Sequence, residues 1–216
     1  MPATWPLPTS EFMDFLPIAK VTSFPGRAVT TTEGADGSII PHKRGARLWQ
    51  GSITLDIEAH GFWTAIEAGL SVLEDPGASF LFRDPRMTGP IADPGKVILG
   101  AASPYISALS VNNRELTLAG LPQGYVLQRG DLLGFSYGAN PTRYAYHRIF
   151  TGGTASLGGK ITDIEVTPKI RPGAAIGASV TLGTPVLKAV LKSANYGASR
   201  SKISEGGSFE WVQTLR

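Results

Sequence analysis

The sequence predicts a mainly β protein with one helix, in which one strand-rich domain is interrupted by a second, smaller β-barrel. Three observations predict this class. The 216-residue chain contains 26 Gly and 16 Pro without a Gly-X-Y repeat, which is typical of short strands joined by turns. Several segments alternate between apolar and polar residues, as half-buried strands do. A single segment has the period of an amphipathic helix.

The first part of the chain predicts an extended arm over residues 5–25. Prolines at positions 2, 6, 8, 17 and 25 exclude a long helix there. The arm is nevertheless rich in apolar side chains, among them Trp5, Phe12 and Phe15. We therefore expect it to pack either on its own domain or on a neighbouring subunit. Residues 33–43, which are polar and contain glycines, predict a loop.

Residues 49–57 predict a half-buried strand, because four apolar residues fall on one face: Trp49, Ile53, Leu55 and Ile57. The period then changes to that of a helix over residues 60–73. Its apolar stripe consists of Phe62, Ile66, Leu70 and Leu73, with Trp63 beside it. Asp75-Pro76-Gly77 ends the helix. Residues 80–82 predict a short apolar strand, and a linker rich in Pro and Gly follows to about residue 95.

The middle of the chain predicts a small barrel or sandwich, because short strands recur about every ten residues between turns. The candidate strands are 97–99, 107–111, 115–118, 125–127, 132–137, 143–150 and 161–166. Asn112-Asn113 predicts a tight hairpin turn between two of them. Pro172-Gly173 marks a second linker.

Three further strands are predicted near the C-terminus, at residues 179–184, 186–191 and 208–215. The last has Phe209, Trp211, Gln213 and Leu215 on one face. We expect it to pair with the strand that begins at Trp49, since both bear Trp and have similar lengths. The first domain would then comprise residues 1–88 and 172–216, with residues 89–171 inserted as the second domain.

Composition excludes some classes of function. The chain has no cysteine, so disulfides, thiolate nucleophiles and Cys-ligated metals are impossible. The N-terminus does not resemble a secretory signal, and no apolar run is long enough for a membrane span. The net charge of +3 is spread along the chain. Its densest basic cluster, residues 42–44 with Arg47, lacks the aromatic partners of a nucleic-acid site and predicts a solvated or subunit-contacting loop.

No constellation of catalytic residues stands out. His42, His60 and His147 have no metal-ligand spacing. Glu74-Asp75 suits a helix end, and Asp131 suits a turn in which its carboxylate accepts backbone N–H bonds. Neither a phosphate-binding Gly-rich loop nor a Gly-x-Ser-x-Gly elbow is present. We therefore expect a protein that is not an enzyme and that needs no cofactor or metal.

The order of features resembles the distal tail proteins of long-tailed, non-contractile bacteriophages. In that family a strand such as Trp49-Gln50-Gly51 precedes a helix and then a strand like Phe80–Pro85, which ends in Asp-Pro. Residues 121–133 and 165–171 are similar to parts of the family's second domain. The resemblance covers about residues 45–216, and the N-terminal arm lies outside it.

The resemblance implies a structural virion protein, made in the host cytoplasm and placed at the distal end of the tail. Such proteins form a homo-hexameric ring that joins the tail tube protein to the tail-tip hub, and the tape measure protein is a further candidate partner. The inserted domain is expected to be galectin-like or oligonucleotide/oligosaccharide-binding-like. The candidate subunit-interface residues are Trp5, Phe12, Phe15, Arg47 and Trp49.

Two alternatives remain open at this stage. Tyr125, Tyr137, Tyr144 and Tyr146 could stack on sugars in a carbohydrate- or receptor-binding module, or could pack within strands and interfaces. A tail-tip glycan hydrolase would need two facing carboxyl groups, and no pair of acidic residues points to one.

Overall fold

Two sheets, each curled around its own cluster of apolar side chains, make up most of the computed structural model, which describes residues 4–216. The fold is mainly β, as predicted. In chain order the strands are β1 (Ile18–Pro25), β2 (Val29–Glu33), β3 (Ile39–Lys43), β4 (Trp49–Leu55), β5 (Glu58–Ala59), β6 (Phe80–Arg83), β7 (Tyr105–Leu109), β8 (Glu115–Ala119), β9 (Val126–Leu127), β10 (Leu132–Tyr137), β11 (Arg143–Thr151), β12 (Gly153–Thr154), β13 (Ile161–Thr167), β14 (Thr181–Leu182), β15 (Val186–Asn195), β16 (Ile203–Ser204) and β17 (Ser208–Gln213). Helix α1 is His60–Leu73.

The first sheet joins the two ends of the chain. Its strands lie in the order β1-β4-β17-β15-β6, and every neighbouring pair is antiparallel. The predicted pairing of the Trp49 strand with the C-terminal strand is confirmed, with Trp211 opposite Gly51. Trp49, Trp211 and Phe209 are buried and share one core with α1.

The first sheet is curled into a half-barrel. Ser23 lies in β1 at one edge, and Asp84 follows β6 at the other edge. Five flat strands would hold these edges roughly 19 Å apart. Instead the Ser23 hydroxyl donates a hydrogen bond of 2.8 Å to the Asp84 carboxylate. The sheet therefore bends until a side chain from each edge can meet.

Helix α1 has the predicted bounds and packs on the first core. Its buried residues are Trp63, Ile66, Leu70 and Leu73. Phe62, expected in the buried stripe, is only partly buried, because Trp63 takes the inward position. Gly77, with φ of +94°, lies in the turn after the helix, where residues with a Cβ are disfavoured.

The second sheet closes into a barrel. Its strand order is β14-β10-β11-β13-β8-β7. Tyr105 of β7 forms a bridge with Ser179, just before β14. The Ile106 N–H donates to the Ala178 carbonyl at 3.0 Å, and the Val180 N–H donates to the Pro104 carbonyl at 2.8 Å. The two ends of the sheet are thus hydrogen-bonded to each other, around a separate apolar core.

The barrel extends further along the chain than the predicted boundary at residue 171. Val180 and Leu182 belong to the barrel core, and β14 pairs with β10. The segment from residue 172, which the sequence assigned to the first domain, therefore begins within the barrel. The end of the barrel could not be located from sequence because β14 and β10, which pair there, are distant along the chain. The division into two domains itself stays a prediction.

Three local predictions were wrong. Residues 97–99 form a turn instead of a strand, because the Asp93 carboxylate accepts the N–H groups of Ile98 (3.2 Å) and Leu99 (2.9 Å). Ile57 lies beyond the end of β4 and is 61% exposed. Residues 33–43 are no loop, since most of them form the hairpin of β2 and β3.

The N-terminal segment packs on its own chain, which is one of the two outcomes expected from its sequence. Two 3₁₀ turns, Thr9–Glu11 and Met13–Phe15, lead into β1, which pairs with β4. Prolines are compatible with both kinds of structure. Four apolar side chains of this segment are buried in the first core of its own chain: Leu7, Phe12, Met13 and Leu16.

Candidate interaction surfaces

The predicted interface residues divide into two groups. Phe12 is 3% exposed and Trp49 is not exposed at all, so neither has surface to offer a partner. Assigning them to a subunit interface was wrong, because each is needed in the core of its own chain. Trp5 and Phe15 are each about two-fifths exposed, and Arg47 is also exposed. For these three the interface assignment stays a prediction.

The most exposed regular structure is the ribbon, which we define as β2, β3 and their connecting turn. Within residues 4–216 both strands pair only with each other. No side chain of β2 or β3 is buried, and only Val29 is even half-buried. Ile39 and Ile40 are 65% and 49% exposed. The ribbon therefore exposes apolar surface that a partner could cover. A two-stranded hairpin without a packed face is only marginally stable in water, so such cover would stabilise it.

The ribbon continues the strands of the first sheet. The Gly26 N–H donates to the Leu48 carbonyl at 2.7 Å, and the Arg44 N–H donates to the Ala28 carbonyl at 2.9 Å. These bonds join the β1–β4 pair to the β2–β3 pair. At the tip the Asp36 carboxylate accepts the N–H of Ser38 at 3.0 Å. Residues 18–55 therefore form one long antiparallel hairpin, of which the distal half leaves the sheet.

Positive charge gathers where the ribbon leaves the sheet. Arg27, Lys43, Arg44 and Arg47 are all exposed, and the ion pairs of the described chain involve other residues. Arg47 donates to the carbonyls of Gly26 (3.1 Å) and Pro25 (3.2 Å), which holds its side chain across the junction. Of the basic cluster noticed in the sequence, His42 and Lys43 lie in β3, and Arg44 and Arg47 lie just beyond its end.

The edges of the two sheets differ in their exposure. The barrel has its ends hydrogen-bonded together, as described above. In the first sheet the β6 edge is covered by Leu7, whose N–H donates to Ser79 and whose carbonyl accepts from Leu81, both at 2.9 Å. The β1 edge has no strand beside it. Within residues 4–216, β1 is therefore the uncovered edge of this sheet.

The half-barrel is held closed by a buried carboxylate. Asp84 is 2% exposed and accepts two hydrogen bonds from the Arg86 guanidinium, from Nε at 2.9 Å and from Nη2 at 2.6 Å. Burial alone raises the pKa of the Asp84 carboxyl, but the hydrogen bonds from Arg86 and Ser23 outweigh it and hold the pKa below its ordinary value. Asp84 is therefore ionised and structural.

A polar seam, formed by Trp49, Gln213, Tyr144, Tyr146 and Arg148, joins the half-barrel to the barrel. The Trp49 indole N–H donates to the Tyr146 carbonyl at 2.8 Å. The Gln213 amide accepts from the Trp49 backbone N–H at 3.2 Å and donates to the Tyr144 carbonyl at 3.3 Å. The Arg148 guanidinium lies 5.2 Å from the centre of the Trp49 ring, within the range of a cation–π contact.

The three histidines lie in different surroundings. His42 and His60 are exposed. His147, predicted to be a polar residue on a strand face, is 3% exposed and stacks on Phe135. Burial lowers the pKa of His147 to about 4, although a hydrogen bond to Pro168 opposes this. The neutral ring donates that bond from Nδ1 to the Pro168 carbonyl over 2.8 Å.

The carboxylates named by sequence have structural surroundings. Glu74 and Asp75 are exposed at the end of α1. Asp131 is fully buried and accepts the N–H groups of Ile91 (2.6 Å) and Gln128 (2.7 Å). The predicted turn role of Asp131 is thereby confirmed. Among the described residues, no three His, Asp or Glu side chains come together as a metal site would require.

The tyrosines suggested for sugar stacking are mostly inaccessible. Tyr125, Tyr137 and Tyr146 are 2%, 7% and 2% exposed, and Tyr144 is half-buried. A stacking platform needs a free ring face, which the first three do not offer. The sugar-stacking interpretation was therefore wrong for Tyr125, Tyr137 and Tyr146, which pack within the molecule.

Neither a family model nor a curated protein matches the chain. Across residues 4–216, no helix is both long and apolar enough to cross a membrane.

Sequence reasoning missed the ribbon and the Ser23–Asp84–Arg86 network. The ribbon has no alternation of apolar and polar residues because both of its faces are exposed. The adjacent residues Ile39 and Ile40, which are β-branched, were the available signal. For the network, the Asp84-Pro85-Arg86 motif was visible, but Ser23 lies far from it in sequence.

Proposed function

We propose that this protein is a structural subunit that assembles with copies of itself into a closed ring in the tail of a phage-like particle. The ribbon is the observation that carries the proposal. It places ten strand residues outside both cores and none of their side chains is buried. A hairpin without a buried face is stabilised when a neighbour covers it.

The charge and the edges of the chain support the same proposal. Four cations at the base of the ribbon are exposed and form no ion pair within the described chain. The β1 edge offers free backbone groups, which natural proteins normally protect. A ring with cyclic symmetry covers such surfaces in every copy and stops growth.

The tail identity rests on the order of sequence motifs described above. Trp49-Gln50-Gly51 begins β4 and Phe80–Pro85 begins with β6, two strands of the same sheet between which β17 and β15 lie. The barrel takes the place of the family's second domain. In this proposal the half-barrel makes the ring, and the ring joins the tail tube to the tail-tip hub.

Native mass spectrometry and negative-stain electron microscopy of the purified chain test the proposal. We expect a single oligomer with a central axis, a hexamer if the family resemblance holds. Binding of a tail tube protein by the oligomer, compared with the monomeric fraction as a control, tests its place in a tail. A chain that stays monomeric at millimolar concentration, with and without a tube protein, would contradict the proposal.

A further inference from the structure

We infer that β2 is the strand that joins neighbouring copies, and that it does so by adding to the open edge of β1 in the next copy. This inference rests on the proposed assembly into a ring. It names the two backbone edges that meet, which the proposed function leaves undefined.

The direction of the backbone groups in the ribbon follows from its hydrogen bonds. The Arg44 N–H donates to Ala28, and the Gly34 N–H donates to Ser38. Residues in an antiparallel pair alternate between bonded and non-bonded positions. Ala28–Arg44 and Gly34–Ser38 are bonded pairs. Counting along the register from them, the pairs Thr31–Pro41 and Glu33–Ile39 are non-bonded. The N–H and carbonyl groups of Val29, Thr31 and Glu33 consequently point away from β3.

Pro41 makes β3 the poorer edge. It occupies the middle of β3 and faces Thr31 in a non-bonded pair, so its missing N–H is on the outer side of the ribbon. Proline on an outer edge prevents continuous pairing with another strand. β2 carries no proline and includes three consecutive threonines, which favour β structure. Of the two ribbon edges, β2 is therefore the one that can accept a strand.

The recipient is β1, the uncovered edge of the half-barrel. The bond from Gly26 to Leu48 fixes the alternation in β1, so the backbone groups of Val21 point outward, away from β4. Ser23 is tied to Asp84 and Arg86, which leaves the half of β1 around Lys20 and Val21 as the accessible part.

The donor and recipient edges lie at opposite ends of the same hairpin. The ribbon starts beyond Pro25, whereas Ile18 pairs with Leu55 at the far end. The seven residues of β4 separate the two ends by roughly 20 Å. Two different surfaces that meet in this way form a head-to-tail contact, which closes into a ring when the rotation permits. Glu33 on β2 and Lys20 on β1 add opposite charges to the two edges.

A proline substitution that removes only the outward amide tests the donor edge. Thr31→Pro deletes the N–H that faces the neighbour and leaves the bonds between β2 and β3 intact. We expect Thr31→Pro to weaken each contact about tenfold, the value of one backbone hydrogen bond, and to shift the ring to monomers in sedimentation velocity. Thr31→Val keeps the amide and should retain the ring. Circular dichroism checks that both variants are folded.

Mixing two defective variants tests the head-to-tail geometry. Val21→Pro damages the recipient edge but keeps an intact β2, whereas Thr31→Pro has the opposite defect. We expect each variant alone to be monomeric, and an equimolar mixture to give a one-to-one heterodimer that grows no further. If Val21→Pro fails to fold, Lys20→Glu replaces it: this exposed substitution leaves the core alone and sets a like charge on the recipient edge against Glu33 of the incoming β2.

The outcomes separate this inference from the proposed function. If the wild-type chain forms a ring and Thr31→Pro forms the same ring, the β2 contact is overturned but the proposed ring assembly is not. A wild-type chain without any oligomer would overturn both. A mixture of the two variants that remains monomeric would overturn the pairing of β2 with β1.

Discussion

The two bodies of this chain solve the problem of sheet edges in opposite ways. The barrel hydrogen-bonds its last strand region back to its first, through the Tyr105–Ser179 bridge and its neighbouring bonds. The half-barrel brings its edges together only through the side chains of Ser23, Asp84 and Arg86, leaves the β1 edge open and extends the ribbon outward. Closed sheets have no edge to offer another chain. The difference makes the half-barrel, and not the barrel, the body through which we propose that copies meet.

The largest expected effect comes from removing the side chain that joins the two bodies. Trp49→Ala deletes a fully buried ring and its hydrogen bond to Tyr146. We expect the free energy of unfolding to fall by about 3–5 kcal/mol, as measured by urea denaturation. Trp5→Ala, at an exposed site, is the matched control and should cost less than about 1 kcal/mol. If both variants lost the same free energy of unfolding, the claim that Trp49 joins the half-barrel to the barrel would be contradicted.

Acid should destabilise the barrel through His147. Its folded pKa of about 4 lies below the unfolded value of about 6.5. The unfolded chain therefore binds the proton first as pH falls, and stability is full above pH 6.5 and lost between pH 6.5 and about 4. The loss approaches about 3 kcal/mol at 1.36 kcal/mol per pH unit. Denaturation curves across this range should lose that slope in His147→Gln, and an unchanged slope would refute the buried neutral histidine.

The closure of the half-barrel should depend on the charge of Asp84. Asp84→Asn keeps the shape but loses the bidentate ion pair with Arg86, and we expect a cost of about 2–3 kcal/mol at pH 7. Because the folded pKa of Asp84 is depressed, its contribution is present above the unfolded pKa of about 3.9 and is lost as pH falls through the folded pKa. Wild type and Asp84→Asn should therefore converge in stability at low pH. A constant difference at all pH values would contradict the ionised carboxylate.

The smallest effect on stability is expected in the ribbon. Ile39→Ser and Ile40→Ser change exposed side chains outside both cores, so the free energy of unfolding of the monomer should change by less than about 0.5 kcal/mol. The same substitutions should weaken assembly, since they remove apolar surface from the contact. Thermal unfolding of the monomer and sedimentation of the oligomer separate the two effects. A large loss of monomer stability would show that the ribbon packs on its own chain.

Sequence patterns predicted the parts of the fold that repeat locally. The stripe of α1 gave its bounds, and the alternation around Trp49 and Trp211 gave two strands and their pairing. Closure of the barrel by residues 177–180 could not be read, because it depends on bonds to Pro104 and Ile106 some 70 residues away. Burial of the N-terminal segment was one of two predicted outcomes, and only the nearby core decided between them.

The interaction surface was the hardest part to predict. Phe12 and Trp49 are apolar and aromatic, which is equally typical of a core and of an interface, and both proved to be core residues. The ribbon lacks the alternation by which strands are recognised, because neither face is buried. Its exposure became visible only when the partners of each backbone group were known.

Replacing residues 29–43 with Asn-Gly tests the central claim most directly. Ala28 and Arg44 already form a bonded pair, so a two-residue turn can join them and leave both cores untouched. Sedimentation velocity at equal concentration should show a ring for the full chain and a folded monomer for the shortened one. A shortened chain that still forms the ring would contradict the claim that copies assemble through the ribbon.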